Sequence, residues 1–197
     1  MALKQTPSQT VGPYFAYGLA APQYGYPFTS IASSSVANEE TEGQHIRIVG
    51  QVFDGAGNVV PDALIEIWQA NAFGRYNHPE DTRRDNYDPT FKGFGRHGTG
   101  TDPKNRFIFD TVKPGAVGDG QAPHINVIVM MRGMLVHAFT RLYFSDEAEA
   151  NATDPVLRSV PEDRRHTLIA RREEGTAAVY RFDIHMQGEN ETVFFDV

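Results

Sequence analysis

The chain has no cysteine, which removes disulfides, thiolate metal sites, iron–sulfur clusters and cysteine nucleophiles together. It also lacks an excess of positive charge. Eighteen Lys and Arg stand against 25 Asp and Glu, a formal net charge of −7, so phosphate backbones and anionic membranes gain no general attraction, and neither nucleic acid nor a membrane is expected as a partner. An anionic small molecule can still bind where individual Arg or Lys side chains face a site. No apolar run reaches the roughly 20 residues of a membrane helix, and the opening MALKQTPSQTVGPYF has no apolar signal-peptide core, so a cytoplasmic location is expected. The nucleophile elbow G-x-S-x-G, the P-loop, H-E-x-x-H and G-x-G-x-x-G are all missing. What remains is a chain of 197 residues, 40% hydrophobic, with 13 Phe, 8 Tyr and 1 Trp, enough to bury a sizeable core as one domain.

Residues 1–45 are rich in Pro, Gly, Ser and Gln and show little periodicity. They read as an extended arm, and its aromatics Tyr14, Phe15, Tyr17, Tyr24, Tyr26 and Phe28 call for packing against something, with a partner subunit as the expected surface. Residues 46–197 read as an all-β domain. Period-two segments HIRIVGQVFD, ALIEIWQA, RFIFDTV, HINVIVMM, AFTRLYF, AVYRFDIHM and ETVFFDV are separated by Gly and Pro punctuation, which predicts a β-sandwich of about eight strands. Residues 71 to 105 are expected as a long functional loop. Short peripheral helices are predicted near 145 to 151 and 160 to 171, the second opened by the capping-box spacing of Ser159 and Glu162.

Seven histidines are present, at 45, 78, 97, 124, 137, 166 and 185, and no two share the i, i+2 spacing that sets both imidazoles on one face of a strand. In HINVIVMM, alternation places His124 and Asn126 on one side, so a possible metal ligand stands beside an amide. Taken alone, this pair reads first as a His and Asn hydrogen-bonded near a sheet end.

Longer motifs add a resemblance. T-P-S-Q-T-V-G-P-Y at 6 to 14, G-Q-V-F-D-G at 50 to 55, E-I-W-Q-A-N-A at 66 to 72, G-R-Y at 74 to 76, V-K-P-G at 112 to 115, A-P-H-I-N at 122 to 126, R-L-Y-F at 141 to 144 and Y-R-F-D-I at 180 to 184 together resemble the intradiol ring-cleaving dioxygenases, nearly end to end. In that family the resemblance implies a ferric ion held by two tyrosines and two histidines, a donor set suited to a hard ion that deprotonates phenols of ordinary pKa near ~10. Placed on this pattern, Tyr76 takes the first tyrosine position and His124 the first histidine. The second tyrosine becomes Val117 and the second histidine becomes Asn126. Gln121 stands where iron-bearing chains resemble one another in having an arginine. Tyr76, Val117, His124 and Asn126 are therefore expected to be vestigial iron-site positions, with no metal and no catalytic residue in this chain alone.

The resemblance further implies an iron-bearing β chain as partner, with Fe(III) bound there. Gly12, Pro13, Tyr14 and Arg132 would then line the substrate pocket beside the partner's iron, Arg132 facing a benzoate carboxylate. The implied reaction takes 3,4-dihydroxybenzoate and O2 to 3-carboxy-cis,cis-muconate. Two alternatives stand beside this reading: a self-sufficient dioxygenase in which His78, Tyr87 or His97 supplies replacement donors, and a β-sandwich binding module.

Overall fold

The computed structural model describes residue 12, residues 15 to 175 and residues 177 to 197. Nine strands among these residues form one sheet: β1 (His45–Phe53), β2 (Leu64–Trp68), β3 (Phe94–Gly98), β4 (Arg106–Val112), β5 (His124–Met130), β6 (Ala138–Phe144), β7 (Ile169–Arg172), β8 (Val179–Arg181) and β9 (Ile184–His185). Their hydrogen-bonded order is β3-β2-β5-β6-β7-β8-β1-β4, with β9 also beside β1. The two ends of that path come back alongside each other, the His97 ring of β3 lying 6.1 Å from Phe109 of β4. The sheet is thus doubled over and nearly closed, which shields its edges and makes the all-β sandwich expected from the pattern.

Alternation decides what lies inside. Ile46, Ile48 and Val52 of β1, Phe107 and Phe109 of β4 and Ile125, Val127 and Val129 of β5 all face one core. Gly50 sits where β1 meets the turn after β8: a Cβ there would stand 1.8 Å from the Phe182 carbonyl oxygen and 2.4 Å from the Phe107 ring. Only glycine admits that approach.

The segment before β1 is not extended throughout. Helix α1 (Phe15–Leu19) and a 3-10 turn (Ala21–Tyr24) precede it, and Ala16 and Ala20 pack on Leu64 beside Met130. Further along, Val36 enters the main core. Arg96 of β3 ties this segment down, donating to the Leu19 carbonyl at 3.1 Å while its Nε bonds Glu66 of β2 at 2.6 Å.

Four local expectations change. The stretch 71 to 105 contains β3, whose glycines argue against a strand by propensity. Packing overrides it, because a Cβ on Gly95 would stand 2.6 Å from Val36 Cγ2. Near 160 to 171 there is a 3-10 helix (Glu162–Leu168) followed by β7. Its expected capping box is not made: Ser159 Oγ donates back to the Val156 carbonyl at 2.7 Å, and Pro161 is the capping position without a side-chain bond. The preceding helix α3 (Pro155–Ser159) takes the cap instead, from Asp154. ETVFFDV forms only an isolated bridge, Phe195 to Phe139, and AVYRFDIHM breaks into β8 and β9 where Phe182 turns to Val49. The helix near 145 to 151 is present as α2 (Ala148–Thr153).

Candidate functional site

The start of β5 is fixed from below by one buried carboxylate. Asp154 accepts from the Ala122 backbone N–H at 2.8 Å, from the Leu157 N–H at 2.7 Å and from the Tyr143 hydroxyl at 3.1 Å. It thereby joins the strand entry, the first turn of α3 and β6 in a single network. The Ala122 carbonyl in turn accepts from His124 Nδ1 at 2.8 Å. His124 is buried, and burial pushes its pKa down, reinforced by the nearby Arg141 charge, so the imidazole stays neutral.

Two residues along the same face, Asn126 lies near the Tyr76 hydroxyl and reaches the Trp68 carbonyl at 3.4 Å. Tyr76 stacks on Trp68 with ring centroids 5.6 Å apart and 15° between planes. Burial raises its phenol pKa, opposed by Arg141, Asn126 and Arg83. In front of the stack lies a cleft of about 700 Å³ lined by Trp68, Tyr76, His78, Glu80, Asp81, Thr82 and Arg83. Asp81 accepts the Tyr76 N–H at 2.9 Å and is gripped by Arg83, whose hydrogen bonds hold its carboxyl well below the usual range. The remaining Arg83 nitrogen donates to the Val117 carbonyl at 2.6 Å.

The fold sets Tyr76 near Asn126, carries His124 on the same face of β5, and ties the Val117 carbonyl to the cleft through Arg83. The donor set does not fit a ferric ion. Val117 has no side-chain donor, and an amide is a weak ligand for a hard trivalent cation. Two guanidinium groups, Arg83 and Arg141, stand close enough to Tyr76 to act on its charge, and a third cation among them would be repelled. Among the described residues, no cluster of three or more His, Asp or Glu side chains could hold a metal. His78 shares the cleft and meets Trp68 edge-on, whereas Tyr87 donates to Asn77 and His97 packs on Phe109.

The residues expected from the resemblance to line a substrate pocket lie elsewhere. Arg132 emerges two residues beyond β5 at a turn completed by Gly133 with φ of +86°, next to the exposed Leu135 and Val136. Gly12 is half-buried at the approach to α1, its carbonyl accepting from the Phe15 N–H at 3.1 Å. Both α1 and Arg132 border the Leu64 and Met130 end of the sheet. Pro13 and Tyr14 lie outside the described residues.

Sequence reasoning passed over Arg83, Arg141, Asp81 and Asp154. Arg141 was the most accessible of them, because β6 pairs it directly with Asn126. It also donates to Gln121 at 3.0 Å, so an arginine from the neighbouring strand approaches the position where the family pattern has one of its own. Arg83 and Asp81 come from irregular backbone and carried no periodic signal.

The family model described as Dioxygenase matches residues 19–188. The alpha chain of protocatechuate 3,4-dioxygenase from Burkholderia cepacia is 57% identical over 197 residues, covering 99% of this chain and 98% of the relative. The beta chain of the same enzyme from that organism is 36% identical over 173 residues, 82% of this chain and 72% of the relative. Among solved structures, the dioxygenase domain of a dioxygenase and carbohydrate-binding protein fusion from Streptomyces sp. SirexAA-E superposes with a TM-score of 0.58 at 23% identity, covering 96% of this chain and 100% of that one.

Proposed function

Because this chain belongs to the intradiol dioxygenase family, we propose that it acts as the iron-free α subunit of a protocatechuate 3,4-dioxygenase, paired with a β chain that holds Fe(III). The assembled enzyme converts 3,4-dihydroxybenzoate and O2 to 3-carboxy-cis,cis-muconate, both oxygen atoms entering between the two hydroxyl-bearing carbons. The reading is carried by one observation: the metal positions survive as Tyr76 and His124 while Val117 and Asn126 supply neither a phenolate nor an imidazole. The oxygen chemistry accordingly belongs to the companion chain.

This chain contributes shape and charge. Gly12 stands at a wall of the shared pocket, and Arg132 offers a guanidinium to the carboxylate that distinguishes 3,4-dihydroxybenzoate from catechol. The charge helps because the chain as a whole is acidic, with a net charge of −7. An anionic substrate is drawn in only where a cation is placed for it. Among the described residues, no helix is long and apolar enough to cross a membrane.

Metal analysis of the separated chains of the co-expressed complex tests the assignment. Iron is expected with the β chain, and this chain is expected colourless, without tyrosinate-to-iron charge transfer. Stoichiometric iron in this chain, or oxygen uptake by it alone with 3,4-dihydroxybenzoate, would overturn it.

A further inference from the structure

The register of β2 and β5 pairs Leu64 with Met130. Two residues farther out on each side, the same antiparallel register sets Asp62 opposite Arg132, and the structure places the Arg132 Nε against Asp62 Oδ2 as an ion pair. The two ends of the pair differ. The Asp62 side chain is 17% exposed and the Arg132 side chain 56%. Asp62 Oδ2 is itself buried and makes no hydrogen bond of ordinary geometry among the described residues, so the guanidinium edge against it is the compensation for its charge. Asp62 also adjoins the N-terminal segment, since its charge is felt by Tyr24.

From this arrangement we infer that Asp62 is a positioning residue for substrate recognition, anchoring Arg132 by its Nε so that the two terminal nitrogens remain turned outward for a bidentate pair with the substrate carboxylate. The inference rests on the Arg132 role given above. A guanidinium is a planar fork with more than one hydrogen-bonding edge. Asp62 occupies the edge nearest the backbone, and the exposed remainder keeps its donors. Without that anchor a long side chain on a turn samples many rotamers, and the substrate must order it on binding. Asp62 does this without touching substrate itself.

Anaerobic titration calorimetry on the co-expressed complex tests the inference, with 3,4-dihydroxybenzoate and catechol as the two probes. Asp62→Asn is expected to raise Kd for 3,4-dihydroxybenzoate by about threefold to tenfold, the cost of one unordered side chain, and to leave catechol within about twofold. Asp62→Glu restores most of the discrimination. In an Arg132→Ala background, Asp62→Asn adds nothing further. Asp62→Ser gives the same reading if the amide variant does not assemble. Tighter binding of 3,4-dihydroxybenzoate on removal of the carboxylate would show that Asp62 merely neutralises Arg132, and would overturn the inference. So would unaltered selectivity, or an undiminished effect in the Arg132→Ala background. If Arg132→Ala itself weakens both probes equally, the Arg132 role fails and this inference with it, whereas an intact Arg132 discrimination with an inert Asp62 overturns the inference alone.

Discussion

Arg83 donates to the Val117 carbonyl at 2.6 Å. A cation is thereby fastened to the residue where the family pattern has a metal-binding tyrosine, and the same guanidinium is held on its other edge by Asp81. Beside Val117, which has no side-chain donor, the space holds an internal ion pair of Arg83 with Asp81, and a metal would have to displace or repel it.

Restoring the ligands tests this directly. Val117→Tyr with Asn126→His is expected to raise the iron content of this chain above that of the unaltered one, and adding Arg83→Ala is expected to raise it further. Metal analysis of the separated chain reads both steps. An iron content unaffected by either would contradict the account.

Asp154 is expected to be the most costly single polar substitution near the site. Replacement by Ala leaves the Ala122 and Leu157 N–H groups and the Tyr143 hydroxyl without their buried acceptor, a loss of about 3–5 kcal/mol. Asp154→Asn keeps one oxygen and costs about half as much. Denaturant midpoints at constant slope measure both.

The pair Glu66 and Arg96 is nearly buried, with side chains 12% and 10% exposed, and Arg96 also caps the end of α1. Arg96→Ala strands a buried carboxylate and is expected to cost about 3 kcal/mol. It also unfastens the N-terminal segment, so limited proteolysis should cleave between α1 and β1 well before it attacks the core. Equal cleavage rates in variant and parent would separate the pair from the docking of that segment.

Stability should fall as pH drops from 6.5 to 4. Burial lowers the His97 pKa from its ordinary 6.5 to about 4. Within that window the unfolded chain binds a proton that the native chain refuses, so unfolding is favoured increasingly as pH falls and the native state regains stability as pH rises. The shift corresponds to about 3 kcal/mol. His124 is shifted in the same direction. His97→Gln is expected to flatten the pH dependence of the unfolding free energy between pH 7 and 4 relative to the parent, and an identical slope would rule His97 out as a cause.

Much of the scaffold is legible in the sequence. β1, β2, β4 and β5 alternate over much of their length because one face meets the core and the other does not, and β6 shows the same signal more weakly, with three buried residues in succession at its end. β3 was hidden because Gly95 and Gly98 are present for close packing and carry no strand preference. β7 was hidden behind a capping-box spacing that Asp154 and Pro161 make redundant. In the site, Tyr76, His124 and Asn126 were found by resemblance and strand alternation. The ionic residues around them were not, since Arg83 and Asp81 meet through loop geometry and Asp62 meets Arg132 only once the register of β2 on β5 is known.

Strand β1 runs antiparallel to β4 but parallel to β8 and β9, so residues 45 to 53 are completed by residues 179 to 185. During synthesis the first long strand to emerge must wait for nearly the last, roughly ten seconds at ordinary translation rates. Throughout that interval one border of an Ile- and Val-rich strand stays unpaired, a condition that invites chaperone binding and self-association. Yield of folded chain is thus sensitive to events before the native sheet exists.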